Sequence, residues 1–284
     1  TRDVAFTTVR FADAVASGSS TTDFSDYAGI YAFGQMVGDA GTGANKGVSA
    51  GAVKINSDGT GRACGSVWSA TCAGGIDIQL AYDDTNARNL VRIRSAAVQS
   101  QAIPSNYSNS LDVLAVFRRF DFPGTAAGSN SGLAMTGDWL AWDSRNAASP
   151  KRTGIVYASR MTDTSGGNVR TLNATDLVGS WSFVSNQVSG ASYKGYENVQ
   201  LVNGAVKDIG GVGDGSCGSS GTVTQNSDYA GIANSTLPNG TVGFGFPIDS
   251  DTFVMVSPDQ SLGVARRYSS AAPGVGPAGL CIPS

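Results

Sequence analysis

The chain of 284 residues contains no histidine. The side chain that most often moves protons near neutral pH, activates a serine or cysteine, or holds zinc and haem iron is therefore missing. A serine–lysine substitute is absent as well, since no Ser stands three residues before any of the five lysines and no Gly-x-Ser-x-Gly turn occurs. Gly213-Asp214-Gly215-Ser216-Cys217-Gly218 sets nucleophiles among glycines, but without a base it reads as a turn beside a disulfide. Paired carboxylates suffice for glycoside hydrolysis, and Asp83 with Asp84 and Asp249 with Asp251 are the adjacent candidates. Both pairs fall in turn-like sequence, so solvated turn acids are the expectation. Asp163, Asp249 and Asp251 lack a twelve-residue loop ending in Glu, and the Gly-rich runs lack the Lys-Ser/Thr of a phosphate loop. No catalytic residue, metal or cofactor is expected.

Recognition is a separate matter. Trp139 and Trp142, flanked by Asp138, Asp143 and Arg145, form the best candidate surface, because an aromatic beside hydrogen-bonding groups suits a sugar ring or a protein contact. At positions i and i+3 of a strand the two indoles face opposite ways. The formal net charge of -3 and a pI near 4.9 give no basic field, so nucleic acid is not an expected partner. No apolar run approaches the roughly 20 residues that a membrane helix needs.

Cys64, Cys72, Cys217 and Cys281 form an even set without a C-x-x-C pair, which favours disulfides over zinc or redox chemistry. Four cysteines allow three pairings. Sequence separation favours Cys64 with Cys72 as a local clip and Cys217 with Cys281 as a pin for the tail. Together with the opening Thr1-Arg2-Asp3, which reads as a processed terminus, this places the protein in an oxidising compartment: secreted, cell-surface or periplasmic. Asn-x-Ser/Thr sequons at Asn106, Asn173, Asn234 and Asn239 matter only where the host glycosylates.

The elements that must position these residues are strands. Glycine is abundant at 38 residues, and Glu197 is the single glutamate among 22 acidic residues. Helix formers are therefore scarce, while turn and β-branched residues abound. Ile76, Ile78, Leu80 and Tyr82 alternate with Asp77, Gln79 and Ala81, and Val91 and Ile93 with Arg92 and Arg94. That is the period of a strand with one dry and one wet face. Asn56-Ser57-Asp58-Gly59 carries the Asp-Gly of a type I′ hairpin.

The chain also repeats itself. Asp26-Tyr27-Ala28-Gly29-Ile30-Tyr31-Ala32-Phe33 matches Asp176-Leu177-Val178-Gly179-Ser180-Trp181-Ser182-Phe183, each opening a strand. Leu114 to Phe120, with Arg118-Arg119, matches Leu262 to Tyr268, with Arg266-Arg267, at a nearly equal offset. Ala52-Val53-Lys54 is likewise set against Ala205-Val206-Lys207, and Cys64-Gly65-Ser66 against Cys217-Gly218-Ser219. A competing match aligns Gly154 to Arg160 with Ser261 to Arg266, which extends the first unit to residue 161. The expected organisation is an N-terminal strand and linker over 1–25, a β unit over 26–161 with about eight strands, a linker over 162–175, and a second unit over 176–284 with about seven. Val4, Phe6, Val9 and Phe11 form an apolar run on a Gly/Ser/Thr leash, a candidate strand donor to a neighbouring subunit.

Gly179-Ser180-Trp181 followed by Arg266 resembles the lipocalin-like, or calycin, barrels, in which an Arg of the last strand covers the Trp of a Gly-x-Trp near the first. The first unit departs from the pattern, with Tyr31 in place of Trp. The resemblance implies antiparallel meander barrels in tandem and a ligand of small hydrophobic type. The fold class expected is thus all-β, two related barrels or sandwiches. The function expected from the residues themselves is a non-enzymatic extracellular structural or adhesive protein, a fibre or matrix subunit assembled by strand addition. A lipocalin-like carrier is the alternative, and an Asp-dependent glycan-active enzyme stands third.

Overall fold

The computed structural model describes residues 23–39, 46–65, 75–82, 90–95, 112–123, 125–126, 132–139, 152–162, 167, 171–188, 197–202, 205–211, 220–227, 229–236, 242–257 and 261–269. Nearly all of them are β. The chain divides into one unit of Thr1–Arg119 with Leu133–Gly167 and another of Phe120–Gly132 with Asn168–Ser284. No helix among the described residues is long and apolar enough to cross a membrane.

The first barrel closes from eight strands in sequence order: β1 (Gly29–Asp39), β2 (Gly47–Ile55), β3 (Thr60–Gly65), β4 (Ile76–Tyr82), β5 (Leu90–Ser95), β6 (Asp112–Phe120), β7 (Gly132–Trp139) and β8 (Arg152–Thr162). Closure comes from β8 pairing antiparallel with β1, Tyr31 opposite Arg160 and Gln35 opposite Val156. A closed sheet has no edge strand left to pair elsewhere. The alternation read in β4 and β5 holds, with Ile78, Leu80, Val91 and Ile93 buried while Asp77 is exposed, whereas in Val242–Asp249 it fails, since Val242 is exposed and Gly243 buried. The interior is one apolar cluster running from Phe24 and Tyr27 through Tyr31, Ile55, Leu80 and Phe117 to Met135 and Ala158. Its lower end is aromatic, with Tyr27 and Phe117 at 4.6 Å and Phe24 stacked on Tyr82 at 4.7 Å. Each such pair adds about 0.5–1.5 kcal/mol beyond burial.

The hairpin between β2 and β3 is not a two-residue type I′ turn. Asn56 to Gly59 form a four-residue connection in which the Gly59 amide donates to the Asn56 carbonyl at 3.0 Å, with Gly59 at φ +80°. The Asp58 carboxylate accepts from the Thr60 amide at 2.9 Å and the Thr60 hydroxyl at 2.6 Å, and this local bonding sets the longer loop. These bonds hold the Asp58 carboxyl below the usual range.

The second barrel comprises β9 (Gly179–Gln187), β10 (Glu197–Val202), β11 (Ala205–Gly211), β12 (Ser220–Gln225), β13 (Ala233–Thr236), β14 (Val242–Asp249), β15 (Thr252–Ser257) and β16 (Ser261–Ser269). Here β9 pairs with both β10 and β16 to close it. It therefore has eight strands where seven were expected. The added strand also overturns one correspondence: Ala52–Lys54 lie on the second strand of their barrel, whereas Ala205–Lys207 lie on the third of theirs.

Candidate functional site

Each barrel opens with a short 3-10 turn, Ser25–Tyr27 before β1 and Ala174–Leu177 before β9. Each turn is followed by a glycine in backbone that L side chains avoid, Gly29 at φ +143° and Gly179 at φ +146°. The reason for glycine is explicit at Gly29, where a Cβ would stand 2.4 Å from the Thr162 carbonyl oxygen and 2.9 Å from Cδ of Arg160.

Two residues further on, the side chain turns back onto the 3-10 turn. The Tyr31 hydroxyl donates to the Tyr27 carbonyl at 2.6 Å, and the Trp181 indole N–H donates to the Leu177 carbonyl at 2.9 Å. Both rings are about 1% exposed. Tyr31 in the first barrel thus occupies the place that Trp181 takes in the second, and the two make the same bond to the residue four positions back. Burial pushes the Tyr31 hydroxyl well above the usual tyrosine range, with the positive charge of Arg160 opposing the shift.

An arginine from each closing strand completes the end. In the second barrel it is Arg267, not Arg266. The Arg267 guanidinium lies 5.3 Å from the Trp181 ring centroid, donates to the Asp176 carbonyl at 3.0 Å and the Ser250 carbonyl at 2.9 Å, and meets the Asp251 carboxylate at 3.0 Å. Arg266 stands opposite Ser182 and is exposed. The expectation fell one residue short because the β16/β9 register sets Arg267 opposite Trp181 and Arg266 opposite Ser182, so Arg267 shares the face of the indole; a register shift follows, with Tyr268 as the extra residue. In the first barrel the same place belongs to Arg160 of β8, whose guanidinium approaches the Asp26 and Ala28 carbonyls at 3.4 Å. Its register shifts in the same way, between Ile30 and Tyr31. Arg118 and Arg119 of β6 are therefore not the closing pair. Arg119 instead meets the Asp26 carboxylate at 3.4 Å on the exterior.

Above the Tyr31 end lies a cavity of about 30 Å³ inside the first barrel. Its wall takes a side chain from every one of the eight strands, among them Phe33, Ile55, Ile78, Met135 and Ala158. Gln35 is the lone amide in this wall, and its Nε2 donates to Ser49 Oγ at 2.8 Å. No charged residue lines it. Sequence reasoning did not single out Gln35; the signal was a polar residue at an inward position of β1, between Phe33 and Val37.

The other candidates fare as follows. Asp249 and Asp251 do sit together, but as turn ligands: Asp249 accepts from the Asp251 amide at 2.8 Å and the Thr252 hydroxyl at 2.8 Å, and Asp251 serves Arg267. Among the described residues no group of three or more His, Cys, Asp or Glu could hold a metal ion. Cys64 is buried on β3 and disulfide-bonded. Cys72, Cys217 and Cys281 lie outside the described residues, as do Val4, Phe6, Val9, Phe11, Trp142, Asp143, Arg145, Asp83, Asp84, Asp163 and the 213–218 segment. Trp139 ends β7, with its side chain outside the description. Asn173 stands before the second 3-10 turn, its backbone N–H donating to the Asp176 carboxylate at 2.9 Å.

No protein-family model matches the chain, and no curated protein matches it. Among solved structures the chain is similar to a protein of unknown function from the DUF3598 family of Nostoc punctiforme. The identity is 14%, with 88% of this chain and 100% of that one covered, at a TM-score of 0.23.

Proposed function

We propose that the chain is a non-enzymatic binding protein whose first barrel takes a small apolar ligand, in the manner of the lipocalin-like barrels that its closing device resembles. The observation that carries this reading is the cavity above Tyr31, apolar on all sides but one and walled by every strand. An empty apolar void of about 30 Å³ costs roughly 0.7 kcal/mol at about 24 cal/mol per Å³. Empty apolar cavities stay dry, and larger ones accept apolar guests. The cavity is well below the roughly 300–1,000 Å³ of ordinary ligand pockets, so entry requires side chains to move. Met135, unbranched and flexible, is the lining residue best able to give way. The disulfide at Cys64 supports an oxidising, extracytoplasmic location.

The competing proposal, a surface fibre built by donating residues 4–11 to a neighbour, needs an acceptor edge. Both barrels are closed, so the described strands offer none. Nile red titration tests the binding reading: a saturable fluorescence rise is expected, and Ala158→Leu, which fills the cavity, should weaken it at least about tenfold. Absence of any saturable signal from folded wild-type protein, or an undiminished one from folded Ala158→Leu, would contradict the reading.

A further inference from the structure

Resting on the first barrel as a binding module, we propose that Gln35 and Ser49 form the polar end of its site and select a neutral ligand: a narrow apolar body carrying one hydroxyl or carbonyl, not an anion. Gln35 lines the cavity, and Ser49 stands directly opposite it across β1 and β2, so both are on the inner face. Their 2.8 Å hydrogen bond joins two uncharged groups, each able to donate and to accept. A ligand hydroxyl reaching this pair exchanges one neutral hydrogen bond for another, at little net cost. The other lining residue with a polar side chain, Tyr31, donates its hydroxyl proton to the Tyr27 carbonyl at the closed end.

A carboxylate meets the opposite situation. No Arg or Lys lines the cavity, and burying an unpaired anion there is strongly unfavourable. Arg160 lies at the closed end with its guanidinium turned to the backbone carbonyls of Asp26 and Ala28, and it is absent from the cavity wall. The aromatic wall at Tyr31 and Phe33 then takes the apolar tail, and the Gln35 level takes the head.

Competition against Nile red with octanol and octanoate at pH 8, where the acid is ionised, separates the cases. Octanol is expected to displace the dye from wild-type protein with at least about tenfold greater affinity than octanoate, and Gln35→Leu to weaken octanol about tenfold. Octanoate binding as well as octanol, or octanol binding unchanged in folded Gln35→Leu, overturns this inference while the binding reading stands. Failure of Nile red itself to bind overturns both.

Discussion

The guanidinium carbon of Arg267 stands 5.3 Å from the centroid of the Trp181 ring, while its neighbour Arg266 faces solvent on the other side of β16. That single-residue distinction links sequence, strand register and closure. Trp181 is pinned to the Leu177 carbonyl, and the arginine ties the ring, the 3-10 turn and the 250–251 turn together.

Arg267→Ala should therefore destabilise the second barrel by about 2–3 kcal/mol, losing a cation–π contact and several charge-assisted hydrogen bonds. Arg266→Ala should stay within about 0.5 kcal/mol of wild type. Denaturant unfolding of the two variants side by side provides the check, and equal effects would contradict the assignment.

The glycine that admits each closing strand is equally specific. Gly29→Ala should cost at least about 2 kcal/mol, since the backbone is left-handed and the new methyl meets the Thr162 carbonyl. Gly47→Ala, with nothing within 4 Å, should be neutral or slightly stabilising. Melting temperatures of the pair would decide.

Tyr31 gives the fold a dependence on alkaline pH. Its folded pKa is raised above the unfolded value near 10, so its contribution is fully present below about pH 10 and is lost as pH rises further. Tyr31→Phe should lower stability at neutral pH by about 1–2 kcal/mol through loss of the bond to Tyr27. The variant should also have a shallower decline above about pH 10. Urea midpoints at pH 8 and above about pH 10 measure both effects.

At the β2–β3 turn the sign reverses. The Asp58 carboxyl is held down by the Thr60 hydroxyl and amide, so its contribution is present above the ordinary carboxylate range and fades as pH falls through the lowered value. Thr60→Val removes the hydroxyl and should raise the Asp58 pKa, which an NMR titration of the side-chain carboxyl would report.

Much of this architecture was legible because short elements announced themselves. The Ile78–Leu80 and Val91–Ile93 alternation marked half-buried strands, and the Gly29-x-Tyr31 and Gly179-x-Trp181 blocks marked the two barrel entrances. Asn203-Gly204, set in sequence between β10 and β11, is a hairpin signal that the count of seven strands passed over. The closing strands were harder to read. On β8, Ile155 and Tyr157 are as buried as Val156 and Ala158, and on β16 both Leu262 and Ala265 are buried, so period-two alternation vanishes. The cross-strand register then decides which arginine shares the face of Trp181 or Tyr31, and no local composition encodes it. Gln35 was missed for a related reason: a lone polar residue in a strand carries meaning only once its opposite face is known.

Native mass spectrometry of the protein isolated from its own source, without added lipid or detergent, tests the central claim most directly. The account predicts a discrete adduct of one neutral, apolar molecule per chain, released on unfolding and absent from the Ala158→Leu variant. A bare chain mass that also leaves Nile red and octanol unbound would contradict it.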